Sequence, residues 1–350
     1  MIRYKELSLT AQTAYAQLLD AAVVHEHGRS LADLPGSFAA KTVKGHKYWY
    51  YQYTEPSGKL RQAFVGPDND AVRNLMVKKT ASPFAPALTP LIRSAVALGC
   101  AEVLPRHMRV LSRLTEYGFF RAGGVLVGTH AFLAYGNMLG VRWRDANRTQ
   151  DIDFAHAGKN IALALPHDFR IDTVEAIKSL GLGLLPVSEI SGKAGATYLN
   201  PREPDFRLDF LTTRHRERDE PYQHPQMGIA LQPLKFLEFS LENIQQAVLL
   251  SGGQCIVLNV PHPARFGLHK LIVYGERKGA FAAKSSKDLA QAAALLTFLK
   301  AQRAWEVEEA WADLVSRGKG WRERVTRGHA ALALAAPELE LAAWLPLPAK

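Results

Sequence analysis

Three aspartates interrupt two short apolar segments of the chain. Asp151 and Asp153 flank Ile152 in the segment QDIDFA, and Asp209 lies within FRLDFL. Because alternate residues of a strand point to the same face, we expect Asp151 and Asp153 to project together while Ile152 faces a core. Asp209 would project in the same way, with its apolar neighbours on the opposite face. If the two strands are neighbours, the fold is a sheet with three carboxylates at one place.

Such a cluster of acids needs a partner of opposite charge. Carboxylates held close together repel one another unless a cation neutralises them. Oxygen ligands are the ones that Mg²⁺ and Mn²⁺ prefer. Two such ions about 4 Å apart are a recurring arrangement for displacement at phosphorus. The sequence therefore predicts Asp151, Asp153 and Asp209 as metal ligands at a phosphate-handling site.

A candidate phosphate-binding turn lies upstream of these acids. Residues 123–129, GGVLVGT, predict a strand that runs through Gly128 and Thr129 into a helix. The first turn of a helix offers free N–H groups and the positive end of the helix dipole to an anion. Gly128 would allow a close backbone approach, and Thr129 could cap the helix or donate its hydroxyl. The segment matches neither the P-loop nor the dinucleotide-binding fingerprint.

The order of these motifs resembles the DNA polymerase β-like nucleotidyltransferase superfamily. Its hallmark is a glycine pair or Gly-Ser after a strand, then an Asp-x-Asp pair, then a third acid on a later strand. The resemblance covers about residues 105–290 and is nearest to minimal bacterial members, which include nucleotidyltransferase toxins of toxin–antitoxin and abortive-infection systems. It implies an α+β fold with a mixed sheet, and an enzyme that attacks the α-phosphorus of an NTP and releases pyrophosphate.

The resemblance also implies roles for individual residues. Asp151 and Asp153 would bind the metal ions that bridge the triphosphate. Asp209 would bind the second metal ion and help to deprotonate the attacking group. Gly128 and Thr129 would cradle the β- and γ-phosphates.

Cationic side chains of two further segments are candidate nucleotide contacts. Lys270 lies in an apolar helical segment, Arg277 follows it, and both belong to a lysine- and arginine-rich stretch, 265–287. Arg148 lies in the segment 141–149, which lengthens the spacing between the glycine turn and the first aspartate to 23 residues. This spacing departs from the family pattern, and the extra residues are expected to contact nucleotide or acceptor, unless they displace the strand of Asp153.

The rest of the chain predicts three regions. Residues 1–91 form a helix and β-hairpin region, 92–229 the nucleotidyltransferase core, and 230–350 a mainly helical domain. The N-terminal elements are expected at 9–27 (helix), 46–53 and 59–65 (hairpin) and 80–91 (proline-bearing linker). The C-terminal helices are expected near 233–250, 265–277, 285–303 and 305–327, with a short strand at 254–260.

The hairpin strand HKYWYYQY leaves two interpretations open. Aromatic residues at this density usually pack a sheet against a helix. They also form platforms on which nucleic-acid bases stack.

The distribution of charge along the chain indicates what kind of acceptor the protein would bind. The chain has a formal charge of +10, of which residues 1–100 carry +5, residues 101–213 +1 and residues 214–350 +4. Basic flanks favour a polyanionic acceptor such as RNA or a tRNA end, although they also serve solubility. A protein hydroxyl, a small molecule and a non-catalytic nucleotide- or RNA-binding module remain alternatives, and the toxin resemblance implies a possible antitoxin partner.

Location follows from composition. The chain has no apolar run long enough to span a membrane and no signal-peptide core at its start. Its two cysteines, Cys100 and Cys255, have no partner at zinc-ligand spacing and indicate no disulfide framework. These features predict a cytoplasmic protein without membrane association.

Overall fold

The computed structural model describes residues 3–27, 37–54, 60–70, 72–73, 76–77, 84–144, 149–157, 171–188, 194–214, 219–277 and 282–348. Its helices are α1 Leu9–His27, α2 Phe84–Ala97, α3 Pro105–Glu116, α4 Gly128–Met138, α5 Thr173–Lys178, α6 Leu237–Leu241, α7 Pro263–Glu276, α8 Ala282–Gln302, α9 Ala304–Ser316, α10 Lys319–Ala335 and α11 Leu341–Trp344. Its strands are β1 Tyr4–Glu6, β2 Ser37–Val43, β3 His46–Thr54, β4 Leu60–Pro67, β5 Gly124–Val127, β6 Val141–Trp143, β7 Ile152–His156, β8 Leu185–Ser188, β9 Ala194–Asn200, β10 Glu203–Thr213, β11 Tyr222–His224, β12 Ile229–Leu234, β13 Ile244–Ser251 and β14 Gln254–Pro261.

The largest sheet has seven strands and is mixed, as the resemblance implies. Strands β7 and β10 are parallel neighbours, and β5 pairs antiparallel with the other side of β7. Strand β10 is long enough to take two partners in turn. Its first part pairs antiparallel with β9, and its end pairs parallel with β12. The α+β class with a mixed sheet and a helical C-terminal region is confirmed.

The two faces of this sheet differ in polarity. On one face Phe154 and Phe210 are fully buried, with their rings stacked 5.0 Å apart. On the other face Val125 of β5 packs with Leu237 of the short helix α6, which covers one end of that face. The opposite end of the same face carries Asp153 and lies partly open. The alternation of apolar and polar residues along each strand therefore places the core on one side and a polar spot on the other.

Two predicted elements are wrong. Residues 84–91, expected in a linker, belong to helix α2, where Leu88 and Ile92 pack in one apolar cluster with Leu18 of α1. Prolines are tolerated in a first helical turn, and the buried contacts outweigh the missing N–H of Pro90. The expected helix at 233–250 is the short α6 followed by strand β13, which pairs with β14.

A tight turn explains why residues 244–250 form a strand and not the expected helix. Gly252 and Gly253 connect β13 to β14 with φ values of 55° and 78°. Two successive residues at positive φ form the tight hairpin turn that matches the twist of paired strands. Pairing along the whole hairpin then overrides the helical propensity of the apolar segment before it.

The aromatic hairpin forms as expected, and a third strand joins it. Strand β3 lies between β2 and β4. The ring of Tyr51 is fully buried and contacts Phe38, whereas Phe64 is 59% exposed. Packing therefore accounts for one side of this small sheet only.

Most of the buried apolar side chains form one cluster. It runs from Val103 to Leu345 and includes both Phe210 and Leu258, which lie on either side of the boundary expected at 229/230. The boundaries of the three regions stay predictions. Cys100 and Cys255 are both buried and unoxidised. In the part of the chain that the structure describes, no helix has the length and apolar character needed to cross a bilayer.

Candidate active site

The structure brings two of the three aspartates into register on adjacent strands. Asp153 of β7 is the direct partner of Asp209 of β10. Asp151 precedes β7 by one residue and is likewise half-buried. Since adjacent strands lie about 4.8 Å apart, the carboxylates of Asp153 and Asp209 project side by side from one face. The condition under which the acids converge, that their strands are neighbours, is met.

An arginine that the sequence interpretation missed lies among these acids. The guanidinium of Arg207 lies 3.3 Å from Asp209 Oδ2 and 3.7 Å from Asp151 Oδ2. Arg207 precedes Asp209 by two residues on β10, so the two side chains share a face. That spacing was visible in the sequence. The contacts of Arg207 with Asp209 and Asp151 show that a positive charge lies within the acid cluster.

Hydroxyl groups hold two of the carboxylates in place. Thr197 of β9 donates a hydrogen bond of 2.6 Å to Asp209 Oδ1, and Thr149 donates one to Asp151. Burial raises the pKa of Asp151, but the Thr149 hydrogen bond and the charges of Lys287 and Arg207 outweigh it, so the pKa lies below its ordinary value. Asp151 is therefore an anion at neutral pH.

A lysine from the C-terminal helices faces the same acids. Partial burial lowers the pKa of Lys287, and the charges of Asp151 and Asp153 act in the opposite direction. The charge of Lys287 is therefore coupled to both carboxylates. Lys287 lies four residues before Gln291 on α8, and the side-chain amide of Gln291 donates to Thr129 Oγ1 at 3.3 Å. One face of α8 thus lies against the start of α4.

The glycine turn lies directly beside an acid. Gly128 begins α4 after Val127, which is the β5 partner of Asp153, and it has a φ of 63°. A Cβ atom added at Gly128 would lie 2.0 Å from Asp153 Oδ2. Only glycine combines this backbone conformation with such a close approach. Thr129 follows with a buried side chain, and Val127, whose side chain makes no capping bond, is the N-cap residue.

The structure brings the two other predicted cations together at a different acid. Lys270 of α7 lies 2.8 Å from Asp288, and Arg277 pairs with the same carboxylate. Asp288 is almost fully buried and follows Lys287 on α8. Lys270 also lowers the pKa of Lys287 through its charge, so this ion-pair cluster borders the carboxylate face. A direct contact of Lys270 or Arg277 with nucleotide stays a prediction.

The segment 141–149 does not displace the strand of Asp153. Residues Val141–Trp143 form β6, which pairs with β1 near the N-terminus. Arg142 donates to the carbonyl of Gly99 at 3.0 Å. Arg148, the predicted nucleotide contact, lies outside the described residues.

A pair of buried histidines lies next to the glycine turn. His130 Nε2 and His107 Nδ1 are 2.9 Å apart. Burial and the neighbouring His107 lower the pKa of His130 to about 3, so both rings are neutral at physiological pH. His130 is thus a packed, buried residue.

The donor chemistry of the acids fits a hard divalent cation, because Asp151, Asp153 and Asp209 offer oxygen atoms alone. Arg207 pairs with Asp151 and Asp209, and the charge of Lys287 acts on Asp151 and Asp153. Within the described ranges, no three His, Cys, Asp or Glu side chains lie close enough together to hold a metal ion. The residue types therefore fit Mg²⁺ or Mn²⁺. Binding of the metal ion would require the guanidinium of Arg207 to move away from the carboxylates.

Comparison with known proteins gives the family. No curated protein matches the chain. A solved structure of an antigenic nucleotidyltransferase-like protein from Paracoccidioides brasiliensis is 13% identical, with a TM-score of 0.35, over 71% of this chain and 97% of that one. The family model described as nucleotidyltransferase matches residues 106–316, which is more than half of the chain and includes every predicted site residue. The chain therefore belongs to the nucleotidyltransferase family, as the resemblance of its motifs implied.

Proposed function

We propose that this nucleotidyltransferase transfers the NMP group of an NTP to a hydroxyl of an RNA acceptor, with a divalent metal ion and release of pyrophosphate. The observation that carries the proposal is the in-register pair Asp153 and Asp209 beside Gly128 at the start of α4. Nucleotidyltransferases generally use an NTP and a divalent metal. Asp151, Asp153 and Asp209 are the residues that would hold the metal here.

The surrounding groups support this chemistry. A bound divalent ion would neutralise the triphosphate and polarise the α-phosphoryl group. The free N–H groups of the first turn of α4, at Gly128 and Thr129, would bind phosphate oxygens. In the transfer step an acceptor oxygen bonds to the α-phosphorus, its proton passes to a carboxylate, for which we assign Asp209, and the bond to pyrophosphate breaks. Charge grows on the leaving oxygens, where a nearby ammonium group such as Lys287 stabilises it.

The acceptor is inferred from charge. The flanks 1–100 and 214–350 carry +5 and +4, whereas the segment with the acids is nearly neutral. Phosphate contacts by basic side chains supply most sequence-independent nucleic-acid affinity. An RNA hydroxyl is therefore the favoured acceptor.

The test uses α-³²P-labelled NTPs, one at a time, with total RNA, cell protein and small-molecule extract as separate acceptors. We expect label on RNA in the presence of Mg²⁺ or Mn²⁺ and none with EDTA. Label that is sensitive to protease, or that partitions with small molecules, would replace RNA by the corresponding alternative acceptor. Bound NTP without any labelled product would contradict transfer and support a non-catalytic nucleotide-binding module.

Lys287→Met is expected to reduce kcat/KM for the NTP by about 100-fold, because the variant removes an ammonium group that faces the acid cluster. Steady-state kinetics with the labelled NTP measures the effect. Lys319→Met is the matched control, since the Lys319 side chain is 87% exposed and pairs only loosely with Glu323, 4.0 Å away. Equal kcat/KM values in the two variants would contradict a role of Lys287 in the transfer reaction.

A further inference from the structure

The small N-terminal sheet, made of β2, β3 and β4, presents aromatic side chains on one face. Strand register puts Tyr50 opposite Phe64 and Lys41 opposite Tyr48. The ring of Phe64 lies 6.0 Å from Tyr48 and 5.5 Å from Tyr50. Phe64 is 59% exposed, and Tyr48 and Tyr50 are half-buried. We call Tyr48, Tyr50 and Phe64 the aromatic face.

The opposite face of the sheet is the one that packs. Tyr51 is fully buried there and contacts Phe38. The sheet is therefore stabilised from one side, and the exposed rings of the aromatic face are not needed to fill a core. Three aromatic rings in contact form an apolar surface patch that packing of this sheet does not explain, and such patches mark binding sites.

One ammonium group lies beside these rings: Lys41 Nζ lies 4.7 Å from the ring centre of Tyr50. Lys47 lies on the opposite face of β3, where it contacts the ring of Trp49 at 4.6 Å and pairs with Asp68 at 3.8 Å. The segment 37–73 holds six lysines and arginines against three acids. Of these acids, Asp68 is already engaged by Arg73 and by the indole N–H of Trp49. The charge left on this sheet is positive.

We propose that the aromatic face binds single-stranded RNA, whose bases stack on Tyr48, Tyr50 and Phe64 while Lys41 contacts its phosphates. Aromatic rings on a sheet with an adjacent cation are an arrangement that binds unpaired bases without strong sequence preference. A protein partner of apolar surface would use the rings but has no use for the ammonium group of Lys41 beside them. This inference rests on the proposed function, because it names the surface that would bind the RNA acceptor.

The experiment measures binding alone, so it does not depend on transfer. Fluorescence anisotropy of a short labelled single-stranded RNA of mixed sequence is recorded with the full chain, without NTP and with EDTA. We expect Phe64→Ala and Tyr50→Ala each to weaken binding by about 10-fold, because each removes a stacking surface. Tyr222→Ala is the matched control, since Tyr222 is an aromatic residue with 48% exposure on another sheet, and it should bind like the parent.

Salt dependence tests the ammonium groups. Lys41→Gln is expected to reduce the slope of log affinity against log salt by about 1, whereas Lys47→Gln, on the opposite face, is the matched control and should keep the parent slope. Far-ultraviolet circular dichroism checks that each variant is folded. An unchanged affinity in Phe64→Ala and Tyr50→Ala, or no binding of single-stranded RNA by the parent chain, would overturn the proposal.

The outcome separates this inference from the proposed function. RNA binding that requires Phe64, without NMP transfer to any acceptor, would support the aromatic face and contradict the enzyme's RNA acceptor. NMP transfer to RNA, together with an RNA affinity that is unchanged in Phe64→Ala and Tyr50→Ala, would support the RNA acceptor and contradict the aromatic face as its binding surface.

Discussion

Replacing Asp153 with asparagine is expected to reduce NMP transfer by on the order of 1,000-fold. A divalent ion contributes several kcal/mol of charge stabilisation in the transition state, and 1.36 kcal/mol corresponds to tenfold in rate. Asparagine keeps the shape of the side chain but removes the charge that would hold a metal ion and that attracts Lys287. Transfer of label from α-labelled NTP, measured under single-turnover conditions, gives the rate.

The control for this variant is a carboxylate outside the site. Asp219 is 72% exposed and pairs with Arg214, so Asp219→Asn should retain the parent rate. The thermal unfolding midpoint of Asp153→Asn should stay close to that of the parent, because the relief of repulsion from the neighbouring aspartates offsets the lost attraction to Lys287. Rates within threefold of the parent, about 0.6 kcal/mol in the barrier, would refute the assignment of Asp153.

Gly128→Ala is expected to lower the transfer rate by about 100-fold, because a displacement of a catalytic group by 1 Å has an effect of that size. The added Cβ would lie 2.0 Å from Asp153 Oδ2, so the carboxylate must move away from its position beside Asp209. The φ of 63° adds backbone strain of about 1 kcal/mol to the free energy of folding. Single-turnover kinetics and thermal unfolding measure the two effects separately.

Gly181 offers a matched control, since it has the same φ of 63° but no atom within 4 Å of an added Cβ. Gly181→Ala therefore carries the backbone strain without the steric conflict. We expect both variants to lose stability through the backbone strain, and Gly128→Ala alone to lose transfer. Parallel losses of rate in both would mean that strain, and not the displacement of Asp153, explains the effect.

The site divides into parts that were predictable and parts that were not. Alternation along short apolar segments predicted that Asp153 and Asp209 project from strands, and a Gly-Thr pair predicted the start of α4. Arg207 could have been found, because it precedes Asp209 by an even spacing on the same strand. Lys287 could not, because its approach to Asp151 depends on how α8 packs against α4.

The same division holds for the fold. The helix at 9–27 and the aromatic hairpin follow from local pattern and turn residues. Helix α2 forms through a proline-rich segment because Leu88 and Ile92 find buried partners in α1. The hairpin of β13 and β14 depends on Gly252 and Gly253, whose two successive positive φ values are a turn signal that the apolar periodicity concealed.

By itself, the sequence determined the identity of the acids, the spacing that directs them to one face of a strand, and the glycine that allows the backbone near them. These are local properties, fixed by side-chain alternation and backbone sterics over a few residues. Tertiary structure alone decided that β7 and β10 are neighbours, that Arg207 also reaches Asp151, that the charge of Lys287 acts on Asp151 and Asp153, and that Lys270 and Arg277 meet at Asp288. Such contacts join residues far apart in the chain, and their geometry is set by the packing of whole elements against a shared core.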